Sequence, residues 1–177
     1  MISREEALLI LKKEGCDEKV ILHCALVSDV AVELAEKNIK MGRDVDIKLV
    51  EIGALLHDLG RAKTHSMEHG VIGAKLAEKY DLDESVIEII KKHIGAGITK
   101  EEAVYFDLPD GDYIPRTWEE KIVAHADNMV KGSKRITLKK RNKLLKEFGV
   151  DKEIRDRIKA LAYEVDPDLL ECEESES

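Results

Sequence analysis

Residues 46–59, DIKLVEIGALLHDL, constrain this chain more than any other stretch. Ile47, Leu49, Val50, Ile52, Ala54, Leu55 and Leu56 lie on nearly every side of a helix. A helix without a polar face belongs at the centre of a domain. This one closes on His57 and Asp58. A bare carboxylate is costly to bury, and a metal ion or another cationic partner relieves that cost.

The rest of the chain is also written in helical periods. Ser3-Arg4-Glu5-Glu6 is a capping-box start and Gly15 a stop. Asp17 caps a long helix to about residue 38, with Leu22, Leu26, Val27, Val30 and Leu34 as its apolar stripe. Further helices are expected over 67–80, 83–93, 117–129, 137–148 and 151–163. Residues 94–116 form a long connection, broken by Gly95 and Gly97, with one short helix at Thr99-x-x-Glu102. No strand–helix alternation is present. The expected class is all-α: a compact fold of six to eight helices, one domain over 1–163 with its core at 17–135. The acidic tail, 164–177, is expected to be disordered.

The 177 residues suit one domain with a real core. Aromatics are only 4%, few for a sheet-rich core or a base-stacking surface. A net charge of −8 argues against broad nucleic-acid binding, which needs a basic footprint. Cys16, Cys24 and Cys172 form no metal-type spacing and no even set, which fits a reduced, cytoplasmic setting. The start carries charges throughout, without a signal-peptide core, and no run of about 18 apolar residues suggests a membrane span. The Lys- and Glu-rich, glutamine-free composition has a thermophile cast.

Histidines and aspartates recur where helices end or turn inward. His23 lies on the apolar face of the second helix, His57-Asp58 close the central one, His69 opens another, His93 ends the next, and Asp127 sits in IVAHADNM. Singly each has an ordinary reading: His23 as a satisfied core residue, His57-Asp58 as a helix C-terminus. Five helices each delivering one from the inward side are harder to explain that way. Imidazole nitrogens and a carboxylate with two oxygens can hold two cations about 3.5–4 Å apart, the arrangement that clamps a phosphoryl transfer.

His23, the pair in ALLHDLGR, His69 in EHGVIGAKLAEK, His93 in IIKKHIGAG and Asp127 in AHADNM resemble, in order, the pattern of the HD-domain phosphohydrolase superfamily. The resemblance covers roughly residues 17–135. It implies a helical HD-domain fold in which His23, His57, Asp58 and Asp127 bind one metal. It also implies that His69 and His93 serve a second, bridged by Asp58. Leu59-Gly60-Arg61 stand where the stringent-response hydrolases carry an acidic pair. No GYP motif of the cyclic-dinucleotide phosphodiesterases and no long insertion of the deoxynucleotide triphosphohydrolases is present. The small stand-alone branch remains, which includes dinucleoside-tetraphosphate hydrolases and archaeal proteins.

Cations flank these residues. Arg61 stands where the family often has a lysine, three residues after the HD aspartate, and Lys63 follows. Residues 131–143, KGSKRITLKKRNK, hold seven Lys or Arg. Their ordinary reading is a solvated helix face, but Lys131, Lys134 and above all Arg135 follow Asp127 closely enough to reach a substrate phosphate. His65 is a loop or cap residue, with substrate contact as its alternative. His125 and Asn128 are expected to support the site from behind.

The expected activity is hydrolysis of a phosphomonoester or phosphodiester of a small nucleotide by a metal-activated water. Asp58, Arg61 and Arg135 are the catalytic residues, and one or two divalent transition metals (Fe, Mn, Ni, Co or Zn) are the cofactor. Two alternatives stay open: a di-iron oxygenase on the same six ligands, and a non-catalytic nucleotide-binding module. A homodimer is possible, because Leu8, Leu9 and Leu11 of the first helix could pack inward or against a second subunit.

Overall fold

The computed structural model describes residues 1–170. Nine α-helices form among them: α1 (Arg4–Glu14), α2 (Glu18–Lys40), α3 (Ile47–Leu56), α4 (His69–Glu78), α5 (Glu84–Lys92), α6 (Lys100–Tyr105), α7 (Trp118–Asn128), α8 (Leu138–Glu147) and α9 (Lys152–Val165). A 3₁₀ turn, Leu59–Ala62, separates α3 from α4. The all-α class is as expected, and α6 starts at the Thr99-x-x-Glu102 box as read. Among the described residues, the 3₁₀ turn is the one helical piece too brief to carry a readable period. An antiparallel ribbon, β1 (Val130–Lys131) and β2 (Lys134–Arg135), was not foreseen. Its two-residue turn starts at Gly132, whose φ of 59° suits such hairpins.

The central position of α3 follows from its composition. Val50, Ile52, Ala54, Leu55 and Leu56 are fully buried. One side joins Leu11, Cys24, Leu59 and Ile90 in a cluster beneath α1 and α4. The other joins Val27, Ala31, Ile122 and Val123 between α2 and α7. Leu11 of α1 is buried in the first cluster and Leu8 packs against it, whereas Leu9 is exposed. The 94–116 connection is packed rather than open: Ile98 bridges to Tyr113, and both bury with Ala103 of α6.

Two features seat the helix ends that carry the expected ligands. Lys92 and Glu120 are buried charges joined at 3.0 Å, with Glu88 2.8 Å from the same ammonium. The other Glu120 oxygen accepts from the backbone N–H groups of Arg116 and Thr117. The end of α5 is thereby tied to the start of α7. Gly60 provides the second feature. A Cβ there would lie 1.9 Å from the His69 carbonyl oxygen, so the turn after Asp58 rests directly on the start of α4.

The C-terminal helix runs past the expected boundary at 163. Val165 is fully buried, and Asn38 Nδ2 donates to its carbonyl at 3.1 Å. Lys37 pairs with Asp166 and Asp168. Residues 164–168 thus belong to the fold, while 171–177 of the expected tail lie outside the described residues. Among the described residues no helix is long and apolar enough to cross a membrane.

Gly60→Ala should be severely destabilising, because the clash is with backbone and no side chain can yield. Overpacking of this kind costs about 1–3 kcal/mol or more, read as a lower urea midpoint with an unchanged slope.

Candidate metal centre

The six expected ligands converge. α3 ends at Leu56, His57 keeps helical angles, and Asp58 leaves them at φ −98°, ψ 17°. That break turns the carboxylate inward, where it divides between two groups of imidazoles. Its Oδ1 lies 3.3 Å from His69 Nε2 and 3.6 Å from His93 Nε2. Its Oδ2 lies 3.7 Å from His57 Nε2 and 3.9 Å from His23 Nε2. Asp127 Oδ1 completes the second group, 3.0 Å from His23 Nε2 and 3.5 Å from His57 Nε2.

The imidazoles are already arranged as ligands. His57 Nδ1 lies 2.7 Å from the Ala54 carbonyl, His69 Nδ1 2.7 Å from Ser66, His93 Nδ1 2.7 Å from Ile90, and His23 Nδ1 2.8 Å from Gly132. A carbonyl only accepts, so each Nδ1 carries the hydrogen and donates. With Nε2 deprotonated, each ring would present a lone pair to a cation at the centre. His57 Nε2 is buried without a hydrogen-bond partner. His69 Nε2 and His93 Nε2 face each other at 3.1 Å. Two lone pairs at that distance want a cation between or beside them. The donor set fits two divalent ions: Asp58, His69 and His93 for one, His23, His57, Asp58 and Asp127 for the other.

Titration of the site follows the same logic. Burial opposes charge on His57, but Asp58 beside it prevails and raises its pKa well above the ordinary histidine value. Burial pushes the carboxyls of Asp58 and Asp127 up, yet the neighbouring imidazoles outweigh it and hold both well below the usual carboxylate range. His69, by contrast, is pushed down to about 3 by burial and by His93.

A cleft of about 460 Å³ opens over the centre, with His23, Asp58 and Asp127 on its floor. Arg61, His65 and Lys131 line it. Arg61 Nε donates to Asp58 Oδ1 at 3.2 Å and Nη1 to the His65 carbonyl at 2.8 Å. Three other expected cations do not line it. Lys63 turns back to α1, donating to the Glu14 carbonyl at 3.0 Å with its carboxylate 3.1 Å away. Lys134 lies exposed on β2. Arg135, expected to be catalytic, is held through both terminal nitrogens by Glu33 of α2, at 2.7 and 2.5 Å. The correction has a simple cause: the ribbon reverses the chain after Lys131, so Arg135 emerges on the other side. There it borders a separate cavity of about 270 Å³ with Lys37, Asp166 and His125.

Two cations of the cleft escaped the sequence reading, Lys19 and Arg141. Lys19 stands one helical turn before His23, a spacing that was available. Arg141 lies between the buried Leu138 and Leu144 at steps of three. That inward register was visible too, but the surrounding lysines obscured it. Asn128 donates to the Gly95 carbonyl at 2.7 Å and ties α7 to the loop after His93.

The HD domain family model matches residues 20–131. An uncharacterised protein of Methanocaldococcus jannaschii is 52% identical over 134 residues, 76% of this chain and 79% of that protein. A tRNA (cytidine(56)-2'-O)-methyltransferase of Picrophilus torridus is 44% identical over 135 residues, and the matched part spans 38% of that enzyme. Ribonuclease Y of Acidothermus cellulolyticus is 47% identical over 51 residues, 28% of this chain and 10% of that enzyme. Among solved structures, the HD domain of the L. monocytogenes phosphodiesterase PgpH, in complex with cyclic-di-AMP, shares the fold. Its TM-score is 0.56 at 18% identity, covering 91% of this chain and 97% of that one.

His125 is buried with both ring nitrogens unpartnered, and burial pushes its pKa down to about 4 from 6.5. The unfolded chain takes up a proton near 6.5, whereas the folded chain does not until about 4. Stability is therefore full above 6.5 and is lost as pH falls through that window. His125→Phe should reduce the loss between pH 7 and pH 5 by about 2 kcal/mol, measured by urea unfolding of the metal-free protein at both pH values.

Proposed function

This chain belongs to the HD-domain family, and on that footing we propose that it is a metal-dependent hydrolase of a phosphodiester in a small ribonucleotide. The observation that carries the reading is the division of Asp58: each of its oxygens faces its own group of imidazoles, on the floor of a cleft that cations also line. A pair of divalent ions held there would supply Lewis acidity and an acidified water. Imidazole-rich ligation favours Fe, Mn, Ni, Co or Zn over Mg or Ca.

The chain's own residues have distinct tasks in this reading. Asp58 and Asp127 provide the negative charge that retains cations, and the Nδ1–H bonds to backbone keep four imidazoles aimed. Arg61 is tethered to Asp58 through Nε and to His65 through Nη1. Its charge therefore stands at the edge of the centre, where an equatorial phosphate oxygen would gather charge in the transition state. Lys19 and Lys131 lie exposed on the cleft walls and suit a second phosphate or the approach of an anion.

The size of the cleft supports a small substrate. Its volume of about 460 Å³ falls in the roughly 300–1,000 Å³ range of small-molecule sites. The ribonucleotide class is supported by the relatives: a ribonuclease, tRNA methyltransferases, and a phosphodiesterase fold that holds cyclic-di-AMP. Methyl transfer is not carried over, because the chain spans little more than a third of those methyltransferases.

Purification without oxygen, elemental analysis, and a panel of cyclic dinucleotides, 2′,3′-cyclic nucleotides, phosphomonoesters and dinucleoside polyphosphates test the proposal. One phosphodiester class should be cleaved, and Asp58→Ala should lose both bound metal and activity. Cleavage by Asp58→Ala at the parent's rate would overturn the mechanism. Oxygen uptake by the iron-loaded protein without phosphate-ester cleavage would assign it to oxygenase chemistry instead. Arg61→Ala should retain metal and lower kcat about 10²–10³-fold, the usual effect of removing one donor to a developing charge.

A further inference from the structure

We infer that Arg141 is the positioning residue of the half of the metal centre that contains His23 and Asp127, acting from a helix beyond the span matched by the family model. The inference rests on the reading of the six residues as a metal centre.

α7 ends at Asn128, one residue after the ligand Asp127. The last carbonyls of a helix have no partner within it. Arg141 of α8 takes up those at this end. Its Nε donates to the Asn128 carbonyl at 2.5 Å, and its Nη2 to the carbonyls of Val130 at 2.5 Å and Asp127 at 3.3 Å. One planar guanidinium thus spans the exit of α7 and the entry to the ribbon, a task suited to its fixed fork and not to a lysine. Its charge also sits at the negative end of the α7 dipole.

The same stretch carries a second element of the site. Two residues beyond Val130, the Gly132 carbonyl accepts from His23 Nδ1 at 2.8 Å. Asp127, a ligand, and Gly132, which aims a ligand, therefore hang on one six-residue segment whose exit from the helix is fixed by Arg141. Buried Leu138 and Leu144 anchor α8 on either side of it. The other half of the centre is aimed independently: Ser66 holds His69 and Ile90 holds His93. The consequence is selective. Loss of the guanidinium should loosen the ion at His23 and Asp127 and spare the one at His69 and His93.

The test uses the full chain, stripped of metal and titrated with Mn²⁺ by calorimetry. Arg141→Met should weaken one ion by about 10–100-fold, the usual effect of removing such support, and leave the other at the parent's affinity. Lys140→Met removes an exposed cation of the same helix without removing a donor to the carbonyls and should leave both affinities unchanged. Equal Mn²⁺ affinities in Arg141→Met and parent would overturn the inference, as would an equal loss in Lys140→Met. A second measurement needs no metal: the ¹⁵N shifts of the His23 ring should report one Nδ1–H tautomer in the parent and a mixture in Arg141→Met. If the parent binds no Mn²⁺, the metal-centre reading fails on its own, and an unchanged His23 tautomer in the variant would still overturn the role of Arg141.

Discussion

The structure depends on keeping the Asp58 carboxylate charged inside the protein. It stands at the end of an apolar helix, largely buried on the floor of the cleft. Isolation of such a charge is prohibitive in a low-dielectric interior, so positive or polarisable groups must come to it. Four imidazoles do so, each from a different helix, which obliges α2, α3, α4 and α5 to converge at one point and α7 to close the ring with Asp127. The close approach at Gly60 and the buried Lys92–Glu120 pair serve that convergence. They hold helix ends, where the ligands are, rather than helix middles.

Much of this was legible because ligands on helices inherit their periodicity. The all-apolar stretch before His57-Asp58 marks α3 as central, and the capping signals place α1, α2, α6 and α7 within a residue or two. What escaped the sequence lies outside regular structure or depends on side-chain partners. Arg135 and Arg141 sit in one basic run, and charge alone does not say which faces inward. The four-residue ribbon decided it, and such a short pairing has no readable pattern. Lys63 was lost to Glu14, a partner 49 positions away. Lys92 and Glu120 bear side chains that usually face water, so nothing in their types announces a buried pair. The end of the fold after 163 was misplaced because Val165 is a single apolar residue among acidic ones.

The span matched by the family model ends at residue 131, but the cleft does not. The floor of ligands lies within the shared span, whereas Arg141, which shapes one wall, comes from α8. The candidate ligands and part of the cleft wall are thus carried by different parts of the chain. Proteins with the same six residues can hold the same ions and still differ in what they admit, since helices beyond the common core set the walls.

The backbone carbonyls that hold the four Nδ1 atoms have one more consequence. Three of them, from Ala54, Ser66 and Ile90, lie three residues before the ring they hold, so His57, His69 and His93 are oriented as soon as their own segments fold, and His23 once the turn at Gly132 docks on α2. Torsional freedom that a flexible site would surrender when an ion arrives has already been lost during folding. On the proposed reading the centre would be a stiff receptor, taking an ion without rearranging and not adapting to one of the wrong size. Discrimination among metals in such a cage rests on the spacing of fixed atoms rather than on the intrinsic strength of the bonds.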